Sequence, residues 1–261
     1  MPSPPDVRRD VRSPHAVDLD HVSKVFGHGP DAVHALDDVT LRVSPGEFVC
    51  LVGASGCGKT TLLHLVAGLD TPTAGRIGVQ GGRATVMFQE SALFPWLTVA
   101  GNVELALTLR SMSATHRAET VAALLDMVHL TDFADRRPHE LSGGMSQRVA
   151  LARALAQQAE VLLMDEPFGA LDAVTRDVLH EELCRLWADT GLTVLFVTHN
   201  VREAVRLGDR VVLLSSRPGR IVEEFDVDID RPRRIESHEV ADLSVEITGC
   251  LMAEVKRHVP H

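Results

Sequence analysis

One eight-residue segment of the chain has the residue types and the spacing of a phosphate-binding loop. Residues 53–60 are GASGCGKT and fit the pattern GxxxxGK[ST], directly after a predicted strand. The glycines allow backbone N–H groups to converge on phosphate oxygens, and the following helix points its positive end at the same anion. Lys59 would reach the β- and γ-phosphates of a nucleotide, and Thr60 would be a ligand of Mg²⁺. The residues that we expect to form this nucleotide site are Gly53, Ala54, Ser55, Gly56, Cys57, Gly58, Lys59, Thr60 and Thr61.

A second segment supplies two carboxylates. In VLLMDEP, four apolar residues precede Asp165 and Glu166, and such a strand would deliver both side chains to its carboxyl end, next to the phosphate loop. Asp165 would hold Mg²⁺ through its water shell, whereas Glu166 would act as general base on an attacking water. Alone, an apolar strand that ends in Asp-Glu is more often followed by an ordinary loop. Together with Lys59, it predicts nucleotide hydrolysis.

The segments around these residues predict an α/β fold. The run at residues 47–52, which is apolar after Glu47, predicts a buried strand before the loop, and TTLLHLVAGL predicts a helix that stops near Gly68. Residues 16–43 alternate around a turn at 29–31 and predict antiparallel edge strands. Strand patterns return in VLLMDEP and TVLFVTHN, with the helical pattern TRDVLHEELCRLWADT between them.

A central part of the chain differs from this pattern. Between about Ser91 and Gln158, Ala, Leu and Val recur at helical intervals, as in ETVAALLDMVHL and QRVALARALAQQ. We therefore expect a helical subdomain inserted into the core. The predicted organisation is a mobile N-terminal tail at 1–15, a main domain at 16–230 with a core lobe at 16–90 and 159–230 and a helical subdomain at 91–158, and a C-terminal tail at 231–261 without a definite structure.

Charge and composition limit the partners and the environment that the chain could have. The 261-residue chain has a formal net charge of -10, which opposes nonspecific attraction to nucleic-acid phosphates. Its apolar runs are far shorter than the roughly 20 residues that span a bilayer, so we expect membrane association to come through a partner. The four cysteines form no CxxC pair, and we expect reduced thiols in the cytoplasm.

The segment LSGGMSQR at residues 141–148 separates this chain from other proteins with a phosphate loop. Followed by RVALARALA, it resembles the LSGGQ signature of the ABC ATPases, and the resemblance extends over about residues 18–220. It implies a P-loop NTPase, RecA-like core with a mainly parallel sheet, an antiparallel β element near the N-terminus and an inserted α-helical subdomain. Residues 16–230 would then be an ABC ATPase domain.

The resemblance assigns roles to residues that the two motifs do not include. Phe26 corresponds to the aromatic residue that stacks on adenine, and Gln89 to the glutamine that senses Mg²⁺ and the attacking water. His199 corresponds to the switch histidine that contacts the γ-phosphate, although without the resemblance it would be interpreted as a structural residue at a strand end. Residues 169–172 resemble the loop that crosses the dimer interface, which places Asp172 among the nucleotide-site residues.

The signature also implies a second subunit. Ser142, Gly143 and Gly144 precede a helix and would form another group of anion-binding donors. In the family's fold this group lies far from Lys59, so it would bind the ATP of another subunit. We expect a head-to-tail homodimer with two ATP molecules at its interface, closed by ATP and reopened after hydrolysis. Met145 replaces the usual glutamine but leaves the backbone donors in place, so we expect activity to survive.

Two further segments narrow the resemblance. SALFPWLTVAGNV at 91–103, and FGALDAVTR followed by RPGRIVEEFDVDIDRPR, are similar to importers of nitrate, sulfonates, taurine and other small solutes. This implies ATP and Mg²⁺ as cofactors, transmembrane permease subunits as partners, and an indirect partner in a periplasmic or lipid-anchored solute-binding protein. The chain would be peripheral, at the cytoplasmic face of the cell membrane. Residues 75–86 are shorter than in the family, which predicts a trimmed strand or hairpin.

The segment after Gln89 has two interpretations. In the importer family it lines a groove that receives a short helix of the permease, and the contacts implied here are Phe94, Pro95, Trp96 and Leu97. An exposed aromatic residue and leucine beside proline would suit a docking surface. The alternative is internal packing of the helical subdomain.

A rival class shares every nucleotide-site residue: the ABC ATPases that act on nucleic acid in repair, chromosome organisation or translation. These proteins usually carry coiled-coil, zinc-binding or duplicated ATPase insertions. The sequence has no sustained heptad pattern, no Cys set with metal-ligand spacing and no second phosphate loop. A nucleotide-binding regulator without turnover is a further alternative, against which Glu166 and His199 argue. We therefore expect a transport ATPase and no nucleic-acid partner.

Overall fold

The computed structural model describes residues 14–109, 112–169 and 171–258, so the predicted N-terminal tail lies almost entirely outside the described residues. The strands are β1 (Val17–Phe26), β2 (Val33–Val43), β3 (Phe48–Gly53), β4 (Ala74–Val79), β5 (Ala84–Met87), β6 (Val161–Asp165), β7 (Thr193–Val197), β8 (Arg210–Leu214) and β9 (Ile221–Asp226). The helices are α1 (Lys59–Val66), α2 (Val99–Thr108), α3 (Ala114–Met127), α4 (Gly143–Ala156), α5 (Ala173–Thr190), α6 (Val201–Leu207) and α7 (His238–His258).

The larger sheet has the strand order β5-β6-β7-β3-β8-β9. β3 pairs in parallel with β7 and β8, and β6 pairs in parallel with β5 and β7, whereas β9 is antiparallel to β8. Every residue of β3 and β7 is buried, as expected for parallel strands that are covered on both faces. The mainly parallel sheet predicted from the sequence is confirmed.

A smaller antiparallel sheet has the order β2-β1-β4. Val17 of β1 lies opposite Val43 on one side and opposite Val79 on the other. β1 is therefore the middle strand, and the prediction that the first two strands are both edge strands was wrong for β1. The reason is that β4, which follows α1, returns to pair with β1 and covers its second edge.

Helices α2, α3 and α4 form the helical subdomain and bury an apolar core of their own. It includes Val103, Leu125, Leu130 and Val149. Leu151 and Ala154, on another face of α4, belong instead to the core of the large sheet. α4 therefore connects the two lobes, and the inserted α-helical subdomain of the predicted fold class is present.

The segment after residue 230, for which the sequence predicted a tail without definite structure, contains the 21-residue helix α7. α7 packs on α6 and buries Val240 and Ile247 in the core of the large sheet. The buried Arg233 guanidinium, which precedes the helix, donates to the carbonyl oxygens of Val205 and Gly208. The C-terminal region is thus part of the packed domain.

Candidate active site

The phosphate loop lies between β3 and α1. Gly58 has a φ of 103°, a backbone conformation that favours glycine. A Cβ atom at this position would lie 2.7 Å from Leu36 Cδ2 and 2.8 Å from the carbonyl oxygen of Ala35. Glycine is therefore required here both by the backbone angle and by the close approach of β2.

Lys59, the first residue of α1, is buried within this loop. Its ammonium group donates to the carbonyl oxygens of Gly53 at 2.8 Å and Ala54 at 3.0 Å, and lies 3.6 Å from Cys57 Sγ. The loop thus places a cation beside the N-terminal end of a helix. Both attract anions, so the arrangement suits a polyphosphate.

Asp165 and Thr60, two of the three residues predicted to hold Mg²⁺, are joined by a side-chain hydrogen bond. Asp165 ends β6, and Thr60 lies in the first turn of α1. Burial raises the pKa of the Asp165 carboxyl, and the neighbouring Glu166 charge raises it further, whereas the Thr60 hydroxyl partly offsets the rise. The site therefore holds a carboxylate that would gain from a nearby cation.

Glu166 and His199 meet at the carboxyl ends of two neighbouring strands. Because Asp165 of β6 lies opposite Val197 of β7, the residues just after each strand are neighbours. Glu166 Oε2 lies 2.9 Å from His199 Nδ1, and the backbone N–H of Glu166 donates to the Val197 carbonyl oxygen. Glu166 has a φ of 44°, a strained region for a non-glycine residue, and such strain is often found at functional sites.

Gln89 follows β5 and lies on the same side of the sheet as this pair. A methyl group at Gly169 would lie 3.7 Å from Gln89 Nε2 and 3.8 Å from Glu166 Oε2, so the two side chains face one glycine. The Gln89 carbonyl oxygen accepts from Gln147 Nε2 at 2.8 Å. Gln147 belongs to α4, so Gln89 links this edge of the core to the helical subdomain.

Phe26 ends β1 and leaves 43% of its surface exposed. The Lys24 ammonium lies 4.8 Å from the centroid of its ring, a cation–π contact. The same ammonium donates to Asp70 Oδ1 at 2.7 Å and to the Thr71 carbonyl oxygen at 2.8 Å, which fixes it in place. The ring therefore has a supported position and an exposed surface on which a planar base can stack.

The signature residues begin α4. Ser142 is the N-cap, and its hydroxyl accepts from the backbone N–H of Met145 at 3.3 Å. Ser142 and Gly143 are exposed, whereas Gly144 is buried against α5. A Cβ atom at Gly144 would lie 2.5 Å from Thr175 Cγ2, so the absence of a side chain allows the two helix N-termini to meet.

Asp172 has a local role in the structure. Its carboxylate caps α5 and accepts from the backbone N–H of Thr175 at 3.0 Å and from the Thr175 hydroxyl at 2.7 Å. These bonds, that to the backbone first, lower the pKa of Asp172. The predicted role of Asp172 at the nucleotide site of a dimer stays a prediction.

Arg217 was not predicted as a site residue from the sequence. Its Nε donates to the Gly56 carbonyl oxygen of the phosphate loop at 3.3 Å. Arg217 lies in the turn between β8 and β9, which is tied to β2 because the N–H of Gly219 donates to the Ala35 carbonyl oxygen and because Arg220 pairs with Asp37. The contact joins positions 161 residues apart, so no local pattern in the sequence predicts it.

A phosphate loop on a central parallel strand, a Glu–His pair on the two adjacent strand ends and an inserted helical subdomain define a class of P-loop ATPases. Comparison with known proteins gives the family within this class. The family model described as ABC transporter matches residues 36–169. The chain belongs to the ABC transporter family, which confirms the resemblance inferred from LSGGMSQR, and it is an ATPase of that family.

Relatives extend the match beyond the family model. The chain is 44% identical to an uncharacterized ABC transporter ATP-binding protein of Methanocaldococcus jannaschii over 96% of both chains. It is 48% identical to the nitrate import ATP-binding protein NrtD of Synechocystis over 82% of this chain and 83% of that protein. It is 43% identical to the taurine import ATP-binding protein TauB of Roseobacter denitrificans over 87% and 82%.

Solved structures include a close match to the fold. The ATP-binding cassette MJ0796, in a dimeric post-hydrolysis state bound to ADP and Pi, superimposes with a TM-score of 0.72 at 34% identity. The match covers 82% of this chain and 100% of that one. The fold of the two-lobed ATPase is therefore the fold of an ABC cassette.

Proposed function

We propose that this chain is the ATP-hydrolysing subunit of an ABC importer and that two copies, dimerising head-to-tail on ATP, drive a partner permease. The observation that carries the hydrolytic part is the 2.9 Å contact between Glu166 Oε2 and His199 Nδ1 beside the phosphate loop. Relatives named for nitrate import and taurine import support a small solute such as nitrate, a sulfonate or taurine as cargo.

In the proposed reaction, ATP and water give ADP and phosphate. Glu166 accepts a proton from the attacking water as the water oxygen bonds to the γ-phosphorus, while the bond from that phosphorus to the β–γ bridging oxygen breaks and its electron pair leaves with ADP. His199, held against Glu166, contacts the γ-phosphate and keeps the carboxylate oriented toward the water. Lys59 and the backbone N–H groups of the loop stabilise the negative charge that builds up on the transferring group.

The residues around Thr60 fit a nucleotide-bound Mg²⁺. The Thr60 hydroxyl, the Asp165 carboxylate and the Gln89 side chain supply the hard oxygen donors that Mg²⁺ prefers. Among the described residues no group of three or more His, Cys, Asp or Glu forms a metal site of its own. The ion would arrive with ATP, be held by these protein oxygens together with phosphate and water oxygens, and neutralise phosphate charge.

The exposed signature residues support the proposed dimer. Ser142 and Gly143 present a hydroxyl and the N-terminal end of α4 at the surface of the helical subdomain, an arrangement that suits an anion from another molecule. In a head-to-tail pair, each copy would bring these groups to the γ-phosphate held by the partner's phosphate loop. ATP would close the pair, and hydrolysis would remove the attraction.

A groove between the two lobes supports the permease as partner. It has a volume of about 950 Å³, and its lining combines apolar side chains such as Phe88, Phe94 and Leu105 with polar and charged ones. Trp96 lies beside Phe94, with ring centroids 5.4 Å apart, and is 68% exposed, which favours docking over internal packing. A short helix with apolar side chains from the permease would fill the groove.

Attachment to the membrane would then depend on that contact. No helix in the described part of the chain is long and apolar enough to cross a bilayer. We propose that the permease holds the chain at the cytoplasmic face of the membrane and that a solute-binding protein on the other side delivers the cargo. The chain itself would touch neither the solute nor that protein.

Affinity purification tests this proposal. The tagged chain is recovered from gently solubilised native membranes, and its companions are identified by mass spectrometry. We expect a polytopic permease with the wild type and with the control variant Val245→Arg, whose site is exposed on α7, and loss of the permease with Leu105→Arg in the groove. Recovery only from the soluble fraction, with ribosomes or DNA-bound proteins, would contradict the importer function and leave the ATPase assignment intact.

The cargo is tested with the same complex. Reconstituted with its permease and solute-binding protein, the chain is assayed for ATP hydrolysis in the presence of nitrate, taurine or an alkanesulfonate. We expect one of these solutes to stimulate turnover. Stimulation by none of them, but by a solute of different chemistry, would overturn the proposed cargo class alone.

A further inference from the structure

A buried hydrogen-bond network lies directly behind His199. His180 on α5 is fully buried, and its Nε2 lies 2.7 Å from Glu203 Oε1 on α6. The Thr198 hydroxyl donates to Glu203 Oε2 and also accepts from the backbone N–H of Asn200 at 3.0 Å. The residues on both sides of His199 are therefore held by the network.

His180 also contacts the loop that carries Glu166. Its ring packs edge-on against Phe168, with centroids 5.5 Å apart. Phe168 comes two residues after Glu166, whereas Thr198 comes one residue before His199. The buried imidazole is thus connected to both members of the candidate catalytic pair. Phe168 links it to the Glu166 loop, and Glu203 and Thr198 link it to His199.

The hydrogen-bond partners of His180 favour one of its two neutral tautomers. Arg206 Nη1 lies 3.5 Å from His180 Nδ1 and donates to Asp177 Oδ1 at 2.5 Å, which holds the guanidinium in place. A guanidinium only donates and an ionised carboxylate only accepts, so the tautomer with its proton on Nε2 satisfies Arg206 on one side and Glu203 on the other. The polar pairs fix the ring, so its position is not set by packing alone.

A small cavity of about 20 Å³ separates this network from the catalytic pair. Its lining includes Glu166 and His199 from the candidate catalytic pair, and Thr198 and Glu203 from the network. The volume is about that of a single water position. A shift of the Thr198–Asn200 backbone into or away from this space would change the distance between Glu166 and His199.

We propose that His180 is a positioning residue for ATP hydrolysis, which aligns the His199 loop through Glu203 and Thr198 and the Glu166 loop through Phe168. The proposal rests on the function proposed above. Two-thirds of the His199 side chain is exposed (67%), so its placement depends on the backbone that carries it and on the contact with Glu166. The network controls that backbone, while His180 itself touches neither nucleotide nor reacting atoms.

Two substitutions at position 180 separate alignment from packing. His180→Leu fills the space but neither donates to Glu203 nor accepts from Arg206, whereas His180→Gln offers an amide N–H and an amide oxygen to the same partners. We expect His180→Leu to lower kcat by about tenfold or more with the KM for ATP within about twofold, because misplaced catalytic groups slow the chemical step more than binding. We expect His180→Gln to keep kcat within about threefold of the wild type.

The control for lost packing is Leu183→Ala, on the same helix and fully buried but outside the network. It should lower the Tm at least as much as His180→Leu while leaving kcat near the wild-type value. If kcat follows the Tm across these variants, or if His180→Leu turns over ATP normally while Lys59→Ala does not, the inference is overturned and the proposed function stands. If the wild-type chain with Mg-ATP shows no hydrolysis even with its permease, both fail.

Discussion

At the scale of single residues, the candidate site contains charged side chains that are wholly or partly buried, and burial disfavours their charged forms. Lys59 lies inside its own loop, and its ammonium group is held by carbonyl oxygens instead of a carboxylate. Asp165 is half-buried, and its principal hydrogen-bond partner is the uncharged Thr60. Each charge is incompletely compensated within the chain, and a nucleotide with its cation would supply the missing opposite charges.

The raised pKa of Asp165 gives a stability prediction. In the folded chain this carboxyl binds a proton more tightly than in the unfolded chain, so ionisation destabilises the fold, fully above the raised pKa and not at all below the ordinary value. Without nucleotide, Asp165→Asn should therefore have a higher Tm than the wild type at pH 7.5, and the difference should shrink as the pH falls toward about 4. Thermal unfolding across this pH range measures it.

Asp172 provides a control of opposite sign. Its pKa is lowered, chiefly by the backbone N–H of Thr175, so ionisation stabilises the fold. Asp172→Asn should lower the Tm at pH 7.5, with a deficit that also shrinks in acid. A Tm difference of the same sign for both variants, or one independent of pH, would contradict the assignment of these shifts to burial and helix capping.

Arg217 should contribute to nucleotide binding, because its guanidinium adds positive charge at the edge of the phosphate loop. Arg217→Ala should weaken binding of a fluorescent ATP analogue by about threefold to tenfold at low salt, and by less at high salt, where exposed charges are screened. The matched control is Arg76→Ala, another exposed arginine, which pairs with Asp20 on the small sheet. Equal losses in the two variants would show a general charge effect only.

At the scale of elements, sequence patterns predicted the parts of the fold that form through local interactions. The phosphate loop, β3 and α1 are contiguous, and one pattern defines them all. Arg217 and His180 were not predicted, because their partners Gly56 and Glu203 lie 161 and 23 residues away and the contacts exist only after the sheet has formed. The helix α7 could have been predicted, because Val240, Leu243, Ile247 and Leu251 recur at helical intervals with charged residues between them. The charged residues alone had suggested a tail without definite structure.

The packing of α7 gives a second stability prediction. Ile247 is fully buried in the main core, so Ile247→Ala should lower the free energy of unfolding by about 2–5 kcal/mol. Val245, two residues earlier on the same helix, is 70% exposed, and Val245→Ala should change it by less than about 0.5 kcal/mol. Urea unfolding of both variants measures these values. Similar values for the two would mean that α7 does not pack on the core in solution.

The contact between the N-termini of α4 and α5 gives a third stability prediction. A Cβ atom at position 144 would overlap Thr175 Cγ2, so Gly144→Ala should cost about 1–3 kcal/mol of folding free energy. Adding Thr175→Ser removes that methyl group but keeps the hydroxyl that donates to Asp172, and should restore most of the loss. The double variant is the control, and if it is as unstable as Gly144→Ala, the clash is not the cause.

At the scale of the whole molecule, the two lobes carry different halves of one proposed site. The core lobe holds the phosphate loop, Asp165, Glu166 and His199, and the helical subdomain holds the exposed signature at Ser142. The fold class and the family followed from the sequence because each motif is short and appears in the family's order. The proposed dimer cannot be seen in the structure of one chain, and the proposed transport function depends on it.

The most direct test of this central claim is the oligomeric state and turnover of Glu166→Gln with Mg-ATP, measured by size-exclusion chromatography with light scattering and by phosphate release. The amide keeps the shape of the side chain but accepts no proton, so hydrolysis should fall by about 10²-fold or more. We expect a stable dimer with ATP, a monomer without nucleotide or with ADP, and no dimer when Ser142→Arg is added. A variant that stays monomeric with bound ATP, or that turns over ATP at the wild-type rate, would contradict this claim.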